Sequence, residues 1–133
     1  MEINSEFILY VSDQKNSRDF YSKVLNMEPG LDVEGMTEFQ LSGRTKLGLM
    51  PYAGIRKILE KYTPDPGSAA GIPRCELYLL SENAAEYCSR ALAAGAIEIS
   101  PLKIRDWGDS AAYYSDPDGH IVVFAEKLFT DQK

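Results

Sequence analysis

Two glutamates, Glu6 and Glu76, occupy matching places in the two halves of the sequence. Each stands in a predicted strand, seven residues before the residue placed to cap the next helix, Asp13 in one half and Asn83 in the other. If both carboxyl groups face a partly dry cavity, their mutual repulsion favours the protonated form of one of them. Such a pair can act as general acid and base, or it can bind a cation. The alternative, that each is solvated at a strand end or paired with an arginine, stays open.

Aromatic side chains form the second set of candidates, because flat rings suit planar or cationic ligands. The candidates, all in predicted strands or loops, are Tyr10, Tyr78, Trp107, Tyr113 and Tyr114. Trp107 follows Asp106 and precedes Gly108 in a loop, which makes it the best candidate for stacking on a ligand. The predicted ligand-binding set is Tyr10, Glu76, Tyr78, Trp107 and Tyr113. For each ring the alternative is a place in the core.

Thiol and imidazole chemistry has little support in the sequence. The two cysteines, Cys75 and Cys88, match no zinc or redox spacing, and we predict that both are buried free thiols. His120 is the only histidine and starts the last strand beside a tight turn. A structural role there is favoured over a catalytic one, since a lone histidine does not build the usual zinc or iron site.

The overall composition narrows the class of protein. The chain has 133 residues, enough for one domain with a core, a formal net charge of −6 and a pI near 4.8. An acidic chain without a basic cluster is a poor ligand for nucleic acid or an anionic membrane. With no long apolar run and no apolar segment typical of a signal peptide, a cytosolic location is predicted.

Periodicity predicts strand, helix and three strands in the first half. The strand covers residues 2–11, and a helix follows over residues 14–25 with its cap at Ser12 or Asp13 and its end at Asn26. Strands follow near residues 31–33, 36–41 and 45–50. A short amphipathic helix is then predicted around Ile55, Ile58, Leu59 and Tyr62, and a linker without regular structure around the prolines of residues 63–73.

The second half repeats this order. A strand over residues 76–80 leads to a helix over residues 84–94, where Asn83 and Glu86 match a capping box and Gly95 closes the end. Strands are predicted at residues 96–99, 102–104, 111–114 and 121–126, and the tail from Phe129 is predicted to be frayed. When the two halves of the sequence are aligned at Glu6 and Glu76, their predicted strands, helix caps and helices coincide, which indicates a duplicated module.

The last two strands are joined by the turn Asp116-Pro117-Asp118-Gly119-His120. The Leu47–Pro51 tract, the Arg105–Gly108 tract and this turn, in that order along the chain and together with the duplicated pattern, resemble the vicinal oxygen chelate superfamily. That superfamily includes glyoxalase I, the bleomycin resistance proteins and the extradiol dioxygenases. The resemblance covers the chain from about Ile3 to Glu126.

The resemblance implies an α+β fold in which two βαβββ modules line a half-open, barrel-like cavity. A single domain over residues 1–133 would contain module 1 at about 1–53, a linker helix and loop at 54–73, and module 2 at about 74–128. Members of the superfamily commonly dimerise, often by exchanging modules, so a homodimer is predicted.

The resemblance also implies four inward positions that hold a metal in the metal-dependent members. By register these are Glu6, Gly48, Glu76 and Val123. Glycine and valine have no donor atoms in their side chains, so only a weak site for a hard cation would remain. No cofactor is therefore expected, with a divalent metal as the alternative.

Two functions follow from these expectations. The first is a metal-independent protein that binds a planar or cationic small molecule, as bleomycin-type resistance proteins do. The second is a glyoxalase- or dioxygenase-type enzyme with a degenerate metal site at Glu6 and Glu76.

Overall fold

The computed structural model describes residues 2–128, and its contacts divide the chain into two compact units between Gly71 and Ile72. Each unit contains a four-stranded mixed sheet and a helix in the order strand, helix, three strands, and the first unit carries a further helix after its sheet. The predicted α+β class with two βαβββ modules is therefore confirmed. The predicted fraying of the tail concerns residues outside the described range.

Unit 1 follows the predicted order closely. Its elements are β1 (Ser5–Val11), α1 (Gln14–Leu25), β2 (Leu31–Val33), β3 (Met36–Ser42), β4 (Thr45–Pro51) and α2 (Tyr52–Leu59). The strand order in the sheet is β1-β4-β3-β2, with β1 parallel to β4 and the other pairs antiparallel. The first strand is shorter than the predicted 2–11.

Local side chains set both ends of α1. The Asp13 carboxylate accepts a hydrogen bond from the Asn16 amide at 3.0 Å, so the predicted cap is confirmed. Asn26 ends the helix in the left-handed conformation, with φ of 55°, and its amide returns to the Lys23 carbonyl. The apolar residues of α1 are buried: Phe20, Tyr21, Val24 and Leu25.

A polar network ties the start of α1 to the β2–β3 hairpin. The Gln14 amide donates to Val33 O at 2.8 Å and to Thr37 Oγ1 at 2.9 Å, and its oxygen accepts from the Gly35 amide. Thr37 Oγ1 in turn donates to Asp32 Oδ1 at 2.9 Å. Because Thr37 is fully buried, its hydroxyl depends on these partners rather than on water.

Replacing Thr37 by valine should therefore lower the free energy of unfolding by about 1–3 kcal/mol, since the Gln14 amide and the Asp32 carboxylate would each lose a partner. Urea denaturation measures this loss, and Thr63→Val at an exposed position is the matched control. Equal stability of the two variants would show that the network contributes nothing.

The segment after α2 is more regular than predicted. A short 3-10 helix covers Glu60–Tyr62 and another covers Pro66–Ala69. The prediction that the prolines exclude any regular element is wrong for Pro66, because proline is tolerated at the first position of a helix, where no amide donor is needed. Asp65 caps this turn by accepting from the Gly67 amide at 2.9 Å, and Arg56 forms an ion pair with Asp65.

Unit 2 has the elements β5 (Glu76–Leu80), α3 (Ala84–Ala93), β6 (Ile97–Ile104), β7 (Asp109–Ser115) and β8 (Ile121–Lys127). The strand order is β5-β8-β7-β6, with β5 parallel to β8. The two strands predicted at 96–99 and 102–104 are one strand with register shifts on both sides of Ser100. Pro101 lies there on an edge strand, where its missing amide hydrogen costs no ladder bond.

The capping box predicted for α3 is wrong. Asn83 makes no capping bond with its side chain. The Ala84 amide donates instead to Glu126 Oε1 at 3.2 Å, from the end of the sheet. Gly95 does follow the helix with φ of 99°, a conformation that favours glycine.

The turn between β7 and β8 is held by its first aspartate. Asp116 Oδ1 accepts from the amides of Asp118 at 2.9 Å and His120 at 2.8 Å, and Asp116 itself is buried. His120 thus lies in a hydrogen-bonded hairpin, as predicted.

Of the two thiols, Cys88 is buried on α3, whereas Cys75 is exposed, so the prediction for Cys75 is wrong. It precedes β5 at the end of the linker rather than inside the strand.

Candidate functional site

The two faces of the unit 2 sheet have different roles. Phe124 of β8 stacks on Tyr87 of α3, so this face of the sheet is the one that the helix covers. The strand alternation directs the intervening residues to the opposite face, which we call the distal face. Tyr78 pairs with Val123, and Val123 pairs with Tyr113, so these three side chains are neighbours on the distal face.

Two hydrogen bonds fix the aromatic group on the distal face. Trp107 Nε1 donates to the Tyr78 hydroxyl at 2.8 Å, and that hydroxyl donates to Asp109 Oδ2 at 2.6 Å. Burial, and next the hydrogen bond to the Asp109 carboxylate, raise the pKa of Tyr78 above its ordinary value. Tyr78 therefore stays protonated at neutral pH and keeps its role as donor. The Trp107 side chain is held in this way while 56% of the residue remains exposed.

The loop that presents Trp107 is closed by its own backbone. The Arg105 amide donates to Asp109 O at 2.8 Å, and the Gly108 amide returns to Arg105 O. Gly108 adopts φ of 94°, which favours glycine in this turn. The Arg105 guanidinium donates to Ala111 O and lies 5.0 Å from the centre of the Tyr113 ring. Trp107 thus projects from a loop anchored to the sheet on both sides.

Several predicted ligand residues come together here. Tyr78, Trp107 and Tyr113 share the distal face, and Glu76 is an exposed residue two positions before Tyr78 on β5. Tyr10 lies on β1 in unit 1. Tyr114 packs against Phe124 on the helix side and donates to Glu98 Oε1, so for this ring the core alternative holds.

Sequence reasoning missed Asp109. It opens β7 and lies on the same face as Ala111 and Tyr113 by simple alternation. That alternation was a usable signal. The hydrogen bond between Asp109 and Tyr78 could not be predicted from the sequence, because it depends on how β5, β8 and β7 are ordered in the sheet.

In unit 1 the candidate glutamate Glu6 meets an unpredicted partner. Gly48 of β4 pairs with Ile8 of β1 on one side and with Glu38 of β3 on the other. Glu6 and Glu38 reach toward each other over this glycine. A Cβ atom placed on Gly48 would lie 2.5 Å from Glu6 Oε2. That oxygen is buried and has no hydrogen-bond partner among the described residues.

The environment of Glu6 favours its neutral form. Burial is the main cause that raises the pKa of Glu6, and the hydrogen bond to the Glu38 carboxyl group and the charge of Glu38 add to it. Lys46, which lies 3.3 Å from Glu38 Oε1, acts in the opposite direction. Counting back from the β3–β4 turn, where Ser42 pairs with Thr45, would have placed Leu49 opposite Glu38, and the register shift between Gln40 and Ser42 brings Gly48 there instead. The contact with Glu6 also needs the parallel β1–β4 pairing.

The residues at the four family positions do not fit a metal. Position 48 has no side chain, and its space holds the Glu6 carboxyl group. Val123 is fully buried with Ala111 and Ala125, which are equally without donor atoms. Within either unit, as far as residues 2–128 show, no three His, Cys, Asp or Glu side chains are placed to hold a metal ion.

The sequence matches the model of the Glyoxalase/Bleomycin resistance protein/Dioxygenase superfamily over residues 5–124. No curated protein matches the chain. Among residues 2–128, no helix is both long enough and apolar enough to cross a membrane.

Solved structures share the fold at low sequence identity. A glyoxalase-related enzyme from Fulvimarina pelagi is 19% identical with a TM-score of 0.79, over 96% of this chain and 89% of that one. A glyoxalase/bleomycin resistance protein/dioxygenase family enzyme from Burkholderia phytofirmans is 15% identical with a TM-score of 0.78, over 96% and 100%. A glyoxalase/bleomycin resistance protein/dioxygenase from Nocardioides is 18% identical with a TM-score of 0.74, over 98% and 87%.

Proposed function

Within the glyoxalase/bleomycin resistance protein/dioxygenase superfamily, to which this chain belongs, we propose that the protein binds a small molecule without a metal, as bleomycin-type resistance proteins do. Its ligand is planar and positively charged. The ligand stacks on Trp107, beside Tyr78 and Tyr113, on the distal face of unit 2.

One observation carries this proposal: a large aromatic side chain is both exposed and fixed. Trp107 is 56% exposed, yet its indole N–H is held by Tyr78, whose hydroxyl is held by Asp109. A side chain that is ordered before binding loses less conformational entropy when the ligand arrives, and this favours affinity. An exposed tryptophan that served only the fold would not need its orientation set by two hydrogen bonds.

Two carboxylates near the indole favour a cationic ligand at Trp107, while the Arg105 guanidinium already lies 5.0 Å from the centre of the Tyr113 ring. Asp109 uses Oδ2 for the bond from Tyr78, and the exposed Glu76 lies on the same face. A cation over an aromatic ring gains from the ring quadrupole as well as from nearby carboxylates. The net charge of −6 adds a long-range attraction of the same sign.

Removing the charge of Asp109 tests whether the ligand is positively charged. We expect Asp109→Asn to weaken binding of the planar cation proflavine roughly tenfold, because a charged partner is lost while the amide oxygen can still accept from Tyr78. Isothermal titration calorimetry measures the affinity, with the planar anion 2-anthracenesulfonate as the matched probe. Asp106→Asn, one loop position before Trp107, is the control variant.

Equal losses of proflavine affinity in Asp109→Asn and Asp106→Asn would show only a general effect of the protein's negative charge. Preference of the wild-type protein for the anion would contradict the assignment of ligand charge. The cytosolic location and the homodimer stay predictions.

A further inference from the structure

The Arg105 side chain lies on the distal face of unit 2 and is held there by neutral groups. Its Nε and Nη2 atoms donate to Ala111 O at 3.1 Å and 2.8 Å. Nη2 also donates to Ser100 Oγ at 2.9 Å and to Pro101 O at 3.0 Å. With the Tyr113 ring 5.0 Å away, these contacts fix the orientation of the guanidinium before any ligand arrives.

The irregular pairing of β6 with β7 explains why the guanidinium lies there. The register shifts between Ser100 and Lys103, and Pro101 in this interval has no amide hydrogen to donate to β7. The side chain of Arg105 supplies donors to the Ala111 carbonyl at this point of the sheet. Its position therefore follows from the strand pairing and not from the chance conformation of a surface side chain.

No carboxylate balances the charge of Arg105 among residues 2–128. Four other arginines each form an ion pair with an aspartate or glutamate: Arg18, Arg44, Arg56 and Arg90. Every hydrogen-bond acceptor of Arg105 is instead a carbonyl or hydroxyl oxygen. A fixed positive charge without a counter-ion is suited to binding an anionic group.

The free end of the guanidinium is its Nη1 atom. Nη1 carries two N–H donors and makes no hydrogen bond with any residue in the described range. Within that same range, Glu6 Oε2 is the one buried side-chain atom that lacks a partner. Nη1 of Arg105 is therefore accessible from outside the protein.

The guanidinium and the proposed stacking site lie on one line across the sheet. A row of paired residues crosses the four strands: Tyr78, Val123, Tyr113 and Ser100. Trp107 bonds to the Tyr78 hydroxyl, and Arg105 bonds to Ser100 at the other end. Tyr78 and Tyr113 are two strand spacings apart, or roughly 10 Å, and a ligand of three fused rings spans that interval.

We propose that Arg105 Nη1 binds a carboxylate of the ligand whose positively charged planar part stacks on Trp107. This assignment rests on the proposed function and narrows its ligand to a planar zwitterion. Because Nε and Nη2 are occupied, Nη1 donates to a single oxygen, which one carboxylate supplies. A phosphate would make such a ligand negative overall, and the net charge of −6 would repel it.

Two dyes that differ in one methyl group test the carboxylate: tetramethylrhodamine, a planar cation with a free carboxylate, and its methyl ester. Fluorescence anisotropy measures both affinities. We expect the free acid to bind roughly tenfold more tightly, because it gains a charge-assisted hydrogen bond from Arg105. Without that bond the order reverses, since a protein of net charge −6 attracts the cationic ester more than the zwitterion.

Arg105→Gln distinguishes carboxylate binding from support of the Trp107 loop. Loss of loop support lowers the affinity for both dyes and leaves the ratio of their affinities unchanged. Loss of the carboxylate contact lowers the ratio, which we expect to fall to about one or below. Arg74→Gln removes the same charge from an exposed position of unit 2 and should leave the ratio as in the wild type.

Two results would overturn the carboxylate assignment. One is that the free acid binds the wild-type protein no more tightly than the ester does, a comparison that needs no variant. The other is that the advantage of the free acid survives in Arg105→Gln. Proflavine carries no carboxylate, so its binding at Trp107 alongside either result would leave the proposed function intact.

Discussion

Phe124→Ala is expected to lower the free energy of unfolding by about 3–5 kcal/mol. Phe124 is 1% exposed, and its ring packs 5.9 Å from Tyr87 of α3 and 5.5 Å from Tyr114 of β7. It thus joins helix to sheet on the buried face of unit 2. Truncation would lose the apolar contacts and leave a cavity that a helix and two strands cannot easily close.

Urea denaturation followed by far-ultraviolet circular dichroism measures this loss. Ile104→Ala, at a residue 71% exposed in the same unit, is the control and should change the free energy of unfolding by less than about 0.5 kcal/mol. Similar values for both variants would mean that α3 is not packed on β8 through Phe124.

Trp107→Ala has the largest expected effect on function. It should reduce the affinity for proflavine by about 2 kcal/mol, or roughly thirtyfold, because the ring that the ligand stacks on is removed. The melting temperature should stay nearly constant, since the exposed indole contributes little to the core. Isothermal titration calorimetry measures the affinity without using the fluorescence of the single tryptophan, which this substitution removes. The melting temperature is measured separately.

Two variants sharpen this prediction. Ile99→Ala removes an apolar side chain of nearly the same exposure, 55%, from the neighbouring β6 and should leave affinity unchanged. Trp107→Phe keeps a ring but loses the N–H bonded to Tyr78, so its affinity should lie between wild type and Trp107→Ala. Unchanged binding in Trp107→Ala would remove this residue from the site.

Local signals predicted most of the fold. The ends of α1 follow from Asp13 and Asn26, whose effects reach only a few residues along the chain. The alternation of β5, β7 and β8 likewise gives their faces directly. Prediction failed where a residue distant in the sequence determines the local structure. The cap of α3 comes from Glu126, which is 42 residues from Ala84.

The residues of the candidate site likewise divide into those that local sequence signals identify and those whose role depends on long-range contacts. Tyr78, Trp107 and Tyr113 could be named from residue type and alternation alone. Asp109 and Glu38 could not be assigned a role, because each acts through a contact that depends on strand order. Within unit 1, the carboxyl group that Glu6 contacts belongs to Glu38, from the adjacent β3, a residue that sequence reasoning did not name.

The most direct test of metal-independent binding is a calorimetric titration of proflavine into protein treated with a chelator and then dialysed. The account predicts saturable binding at one site per chain, with the same affinity after zinc, nickel, manganese or iron is added. Binding that appears only with one of these metals, or that disappears when the chelator removes a stoichiometric metal, would contradict it.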